Sequence, residues 1–145
     1  MFRSNRFGRL ACCVAVTMVA PQGHARSPDT LLQPSTIEDW RAVGMDGTGC
    51  YWSARRNGPV LFAAAGQTAV TKVAGRVVVL APAPEARELF PFTYDAWTSD
   101  RLTIRVNDSG VVRAMGEETV TTDALLIVTA GAKARRMRGS LICGS

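Results

Sequence analysis

Outside its first twenty-odd residues this chain carries two cysteines, Cys50 in "GTGCYWSA" and Cys143 in the terminal "GSLICGS". A bond between them needs their Cα atoms within about 7 Å. No other feature restricts the fold as tightly, because the two cysteines lie near opposite ends of the chain that would have to fold. In a closed barrel the first and last strands are neighbours and the bond rivets the seam. In an open meander they lie at opposite edges, out of reach. The cysteines therefore favour closure, or a sandwich that brings the ends together.

The N-terminus supports an oxidising destination. Arg3, Arg6 and Arg9 form a basic flank, Leu10 to Ala20 an apolar run, and "GHA" places small residues at Gly23 and Ala25. That order is the signature of a secretory signal peptide over residues 1–25, and the run is too short to span a bilayer. "LACC" loosely imitates a lipidation site, but cleavage there would leave no apolar run to insert. Of the four cysteines, Cys12 and Cys13 leave with the signal. An exported chain with one remaining pair normally closes it as a disulfide. Chain entropy puts such a long loop at roughly 4–5 kcal/mol. The expected location is periplasmic or secreted, with no transmembrane segment once the signal is gone.

Cleavage after Ala25 also changes the chemistry available. The single histidine, His24, is lost, which removes Ser-His-Asp and Cys-His catalysis and every zinc site that needs an imidazole. The precursor carries 17 Lys+Arg against 12 Asp+Glu. Three of the arginines leave with the signal, so 14 cations face 12 carboxylates, and the balance does not argue for nucleic acid.

Residues 26–34 ("RSPDTLLQP") read as a flexible leader, and residues 35–145 as a single β domain. In "PSTIEDWRAVG", Ser35 with Glu38 fits a capping box, and Ile37, Trp40 and Ala42 or Val43 share a helical face that Gly44 ends. From Cys50 onward short strands alternate with turns. "CYWSA" passes through "RRNG" into "PVLFAAA", and "TAVTKV" and "RVVVLA" flank a tight Ala74-Gly75 turn. "APAPEARE" is a loop, and Pro91 interrupts "LFPFTYDAW". "RLTIRV" alternates cleanly, "NDSG" turns the chain into "VVRAM", and "GEE" turns it into "TVTT". "ALLIVTA" reads as a central strand, and "GAKA" leads into "RRMRGSLICG". The expected fold is all-β: a small antiparallel barrel or sandwich of about eight strands with a short N-terminal helix.

Motifs that carry chemistry are sparse. "GMDGTG" has no phosphate-loop lysine and runs into a strand where such a loop should open a helix. No S-x-x-K occurs, and the only lysines are Lys72 and Lys133. Among the acids Asp95 stands alone in an aromatic stretch, with Phe92, Tyr94 and Trp97 to desolvate it. It is the first suspect for a hydrolase working with carboxylates alone. The one dense charge cluster is Lys133, Arg135, Arg136 and Arg138. Adjacency of the first and last strands would join it to Arg55 and Arg56, with Tyr51, Trp52 and Trp97 nearby. That surface suits an anionic envelope component or an acidic protein. The same charges also serve to discourage edge pairing. No cofactor or metal is implied.

The stretch "CYWSARRNGPVLFAAAGQTAVTKVAGRVVVL", residues 50–80, opens with an aromatic-flanked cysteine strand and continues through short hairpins. It resembles the opening of the membrane-bound and periplasmic inhibitors of c-type lysozyme. The resemblance implies a small exported β-barrel whose one disulfide joins early and late strands, which suits Cys50 and Cys143. The family's serine-and-glycine loop ahead of an aromatic "FW-x-KG" strand has no counterpart. "FTYDAWTSDR" stands in that region, so no inhibitory residue transfers. The expectation is a non-catalytic, exported binding protein, inhibitor-like or envelope-binding. A purely structural envelope component and the Asp95 hydrolase are the competing readings.

Overall fold

A computed structural model describes residues 31–90 and 93–145. The expected signal peptide, the first part of the leader (26–30), Pro91 and Phe92 lie outside the described residues. The strands are β1 (Gly49–Ser53), β2 (Val60–Ala65), β3 (Thr68–Val73), β4 (Arg76–Pro82), β5 (Glu88–Phe90), β6 (Thr93–Tyr94), β7 (Ala96–Thr98), β8 (Thr103–Met115), β9 (Thr119–Ala130) and β10 (Lys133–Gly144). Among the described residues eight of them close an antiparallel barrel in the order β1-β10-β9-β8-β7-β4-β3-β2, and β5 and β6 form a separate ribbon. At this strand number a barrel interior is just filled by side chains. Trp52, Phe62, Trp97, Ile104, Leu126 and Leu141 fill it here.

Strands β1 and β10 close the seam, with Cys50 opposite Cys143 and Trp52 opposite Leu141. The Cys50–Cys143 disulfide is present across that pair. Gly139, next along β10, is a glycine for reasons of space. A Cβ there would collide with the Ser53 carbonyl oxygen and the Trp52 indole. Its absence lets Trp52 lie flat against β10 and donate from Nε1 to the Ala124 carbonyl at 3.3 Å.

The helix α1 (Ile37–Arg41) forms one residue later in register than the sequence suggests. Thr36, not Ser35, is the N-cap, and Asp39, not Glu38, completes the capping box. Ser35 is instead half-turned toward the helix, where its hydroxyl accepts from Trp40 Nε1 at 3.0 Å. Trp40 stacks on Tyr51 with ring centroids 5.0 Å apart. Together they cover the outer face of β1, β2 and β3, where Met45, Ala63, Ala65 and Val70 make a second, smaller core.

Two further expectations are corrected. The end of the leader is docked: Leu32 is 1 % exposed within the main core, and Gln33 N donates to the Lys72 carbonyl at 2.7 Å. An apolar pair at Leu31 and Leu32 outweighed the polar residues around it. "NDSG" does not reverse the chain either. Strand β8 runs on through it to Met115, with register shifts against β9 between Asp108 and Val112 and again between Val112 and Ala114. The turn-forming chemistry is present but produces a bulge. Gly110 N donates to Asp108 Oδ1 at 2.9 Å, and Ser109 Oγ donates to the Asp123 carbonyl at 2.7 Å. Gly110 takes φ +71°, the left-handed conformation a bulge of this kind uses.

Candidate functional site

An antiparallel barrel delivers alternate connections to the same end. At one end lie the β1–β2 loop, the β3–β4 turn, the β7–β8 turn and the β9–β10 hairpin, and these bring Arg55, Arg56, Arg76, Arg101 and Lys133 to one rim. At the other end lie the β2–β3 turn, the β4–β7 excursion and the β8–β9 hairpin, with Glu85, Glu88, Glu117 and Glu118. Asp100 also lies at the first end and Arg87 at the second, so cations predominate at one end and carboxylates at the other without exclusive separation.

The basic cluster of β10 divides between two faces. Register places Arg136 opposite Ile127 and Arg138 opposite Leu125, whereas Arg135 stands opposite Val128 and Met137 opposite Leu126. Val128 and Leu126 are fully buried inside the barrel. Side chains alternate along a strand, so Lys133 and Arg135 belong to the interior-facing row at the barrel mouth. Arg136 and Arg138 belong to the outer face. The expected single patch is thus a rim and a flank that meet at the β9–β10 hairpin.

Strand β10 pairs with β1 only through residues 140–144. From 133 to 139 it pairs with β9 on one side, and among the described residues no strand takes the other. The cations therefore line an open sheet edge. The loop carrying Arg55 and Arg56 leaves β1 after Ser53, whose partner Ser140 is close to Arg138. Among the described residues, Arg55, Arg56, Arg76, Arg101, Lys133, Arg136 and Arg138 form no ion pair with a carboxylate. Arg138 also borders an outer hollow of about 460 Å³ with Leu125 and Val111.

The aromatic candidates do not join this surface. Trp52 and Trp97 are 0 % exposed and belong to the core. Their indole N–H groups are satisfied internally, that of Trp97 by the Tyr94 carbonyl at 2.8 Å. Tyr51 is half-buried beneath Trp40. Large aromatic surface and a satisfied N–H are what a small barrel needs at its centre, and that demand took Trp52 and Trp97, while Tyr51 is held on the outer face by Trp40.

Asp95 is bonded to Arg87, and it borders a hollow of about 490 Å³ with Glu88 and Asp108. Its carboxylate accepts from Arg87 N at 2.8 Å and from Arg87 Nε at 3.4 Å, while its own N–H donates to the Arg87 carbonyl at 2.9 Å. These bonds clasp the loop after β4 onto the start of β7. The remaining strong ion pairs are structural in the same sense. Asp39 joins α1 to Lys72, and Asp123 holds Arg113 beside the β8 bulge. The hydrogen bond from Arg113 lowers the Asp123 pKa, and the reciprocal bond raises that of Arg113.

No family model, curated protein or solved structure matches this chain. Sequence reading singled out Arg55, Arg56 and the β10 cluster, and the topology adds Arg76 and Arg101 to the same end. The signal for them was the strand count: once β1 to β10 alternate, the residues flanking alternate turns share an end.

Proposed function

We propose that this chain is an exported, non-catalytic envelope protein that binds a macromolecular partner at the basic end of its barrel. The partner is an anionic envelope component or an acidic protein face, and the role is inhibitor-like or that of an envelope-binding module. The observation that carries this reading is the convergence of Arg55, Arg56, Arg76, Arg101 and Lys133 from separate connections on one rim, beside Arg136 and Arg138 on the adjoining edge of β10. Exposed charges of one sign on a rigid rim raise the encounter rate and fix the orientation of an oppositely charged partner. An open edge also offers main-chain donors and acceptors, so an acidic extended segment would find both charge and strand pairing there.

The experiment is binding to vesicles carrying anionic phospholipid, together with capture from an envelope extract, at low and at high salt. Replacing Arg55, Arg56, Arg136 and Arg138 by Gln should weaken both by tenfold or more at low salt. A variant that binds as the parent does removes the surface from consideration.

A further inference from the structure

Inside the basic rim the barrel mouth is not sealed. A cavity of about 360 Å³ opens there, lined by Leu31, Val73, Val78, Leu102 and Ala130 and bordered by Arg76 and Arg101. Leu31, Val73, Val78 and Ala130 are only partly buried and pack against the main core. They form an apolar floor that continues into the barrel interior yet remains open to solvent. Arg76 and Arg101 are exposed and, among the described residues, form no ion pair with a carboxylate. Lys133 is the register partner of Ala130 and adds a third cation at the same mouth.

An apolar floor with cations on one border is complementary to an amphiphile whose charge sits at one end. The volume lies within the range of small-ligand sites, about 300–1,000 Å³, and barrel mouths are a recurrent place for them. We propose that this cavity holds a single-chain anionic amphiphile, its acyl chain against Val73, Val78, Leu102 and Ala130 and its carboxylate or phosphate between Arg76 and Arg101. The bound species is a free amphiphile and not a bilayer lipid, because the cavity accommodates one chain and its entrance lies between turns. This rests on the basic end being a binding surface and shares Arg76 and Arg101 with its rim, but the apolar floor of Val73, Val78, Leu102 and Ala130 belongs to the cavity alone, so the two readings can be tested apart.

Dodecanoate titrated into the oxidised protein, followed by amide NMR, provides the test. Saturable shifts are expected in Val73, Ala74, Arg76, Val78, Arg101, Leu102 and Ala130. Each methylene buried strengthens binding about fourfold, so octanoate should bind much more weakly. Dodecanol, which lacks the charge, should bind about tenfold more weakly, as should dodecanoate to the Arg76→Gln/Arg101→Gln variant. Ala130→Leu, which fills the floor and keeps the rim, should abolish binding. Replacing Arg136 and Arg138 by Gln should leave dodecanoate affinity unchanged while weakening vesicle capture, which separates this site from the macromolecular one. No saturable binding of dodecanoate, or equal binding to the Arg76→Gln/Arg101→Gln variant, overturns the proposal. Anionic phospholipid vesicles that shift Val73, Val78, Leu102 and Ala130 as dodecanoate does overturn its assignment to a free amphiphile.

Discussion

Cys50 and Cys143 face each other directly across the β1–β10 seam, with Cα atoms 4.1 Å apart and a sequence separation of 93. That spacing suits a non-hydrogen-bonded pair of antiparallel strands. The cross-link lies where the barrel closes and nearly the whole β domain lies inside its loop, so it acts chiefly by restricting the unfolded chain.

Replacing both cysteines by Ala should cost about 3–5 kcal/mol, a large share of the roughly 5–15 kcal/mol typical of a domain. The strand pairing itself supplies closure, so the variant should keep a β-type circular dichroism spectrum while its denaturant midpoint falls. An unchanged midpoint would mean the disulfide contributes nothing to the seam.

Gly139→Ala should destabilise by about 1–3 kcal/mol, because the new methyl must displace either the Trp52 indole or the β1 backbone. The near-ultraviolet signal of Trp52 reports which gives way. A neutral effect would contradict the close approach of β1 to β10 at Gly139.

How much of this was legible beforehand depended on distance along the chain. The Ala74-Gly75 hairpin was readable from Gly75 set between two apolar runs, although Ala74 takes a positive φ of 49° that a non-glycine residue seldom adopts. The disulfide was legible because the expected signal cleavage leaves a single cysteine pair. "NDSG" misled because the same side-chain bonds make a turn or a bulge, and the choice lies with β9, whose pairing beyond Asp123 is a tertiary fact. Thr36 displaced Ser35 as cap because Trp40 needed the Ser35 hydroxyl. The basic rim was half visible: contiguous "KARRMR" stood out, whereas Arg76 and Arg101 join it only through topology.

Acid should loosen α1 through Asp39. The Thr36 backbone N–H and then the Lys72 ammonium hold its carboxyl below the usual aspartate value. The folded group therefore protonates at lower pH than the unfolded one. Its contribution is whole above the ordinary aspartate range and is lost as pH falls through the folded pKa. Asp39→Asn should lower the melting temperature near neutrality and flatten the acid limb of its pH profile. A parallel acid limb in the variant would show that other carboxylates carry it.

Asp95 should behave as a clasp. Asp95→Ala, which strands the Arg87 N–H, should cost about 1–3 kcal/mol, whereas Asp95→Asn keeps an acceptor and should cost less. Hydrogen exchange at Arg87 N follows the loss directly. Equal exchange in parent and Ala variant would free Asp95 for another role.

The central claim is that one end of the barrel, and not its charge in general, makes the binding surface. Its most direct measurement compares retention on anionic vesicles across rising salt for two neutralised proteins. One carries Gln at Arg55, Arg56, Arg136 and Arg138; the other carries Gln at four cations away from that rim, Arg41, Arg87, Arg105 and Arg113, so that the two have the same net charge. The first should lose retention and its salt dependence, while the second retains both. Equal retention of the first variant and the parent at low salt would contradict the claim.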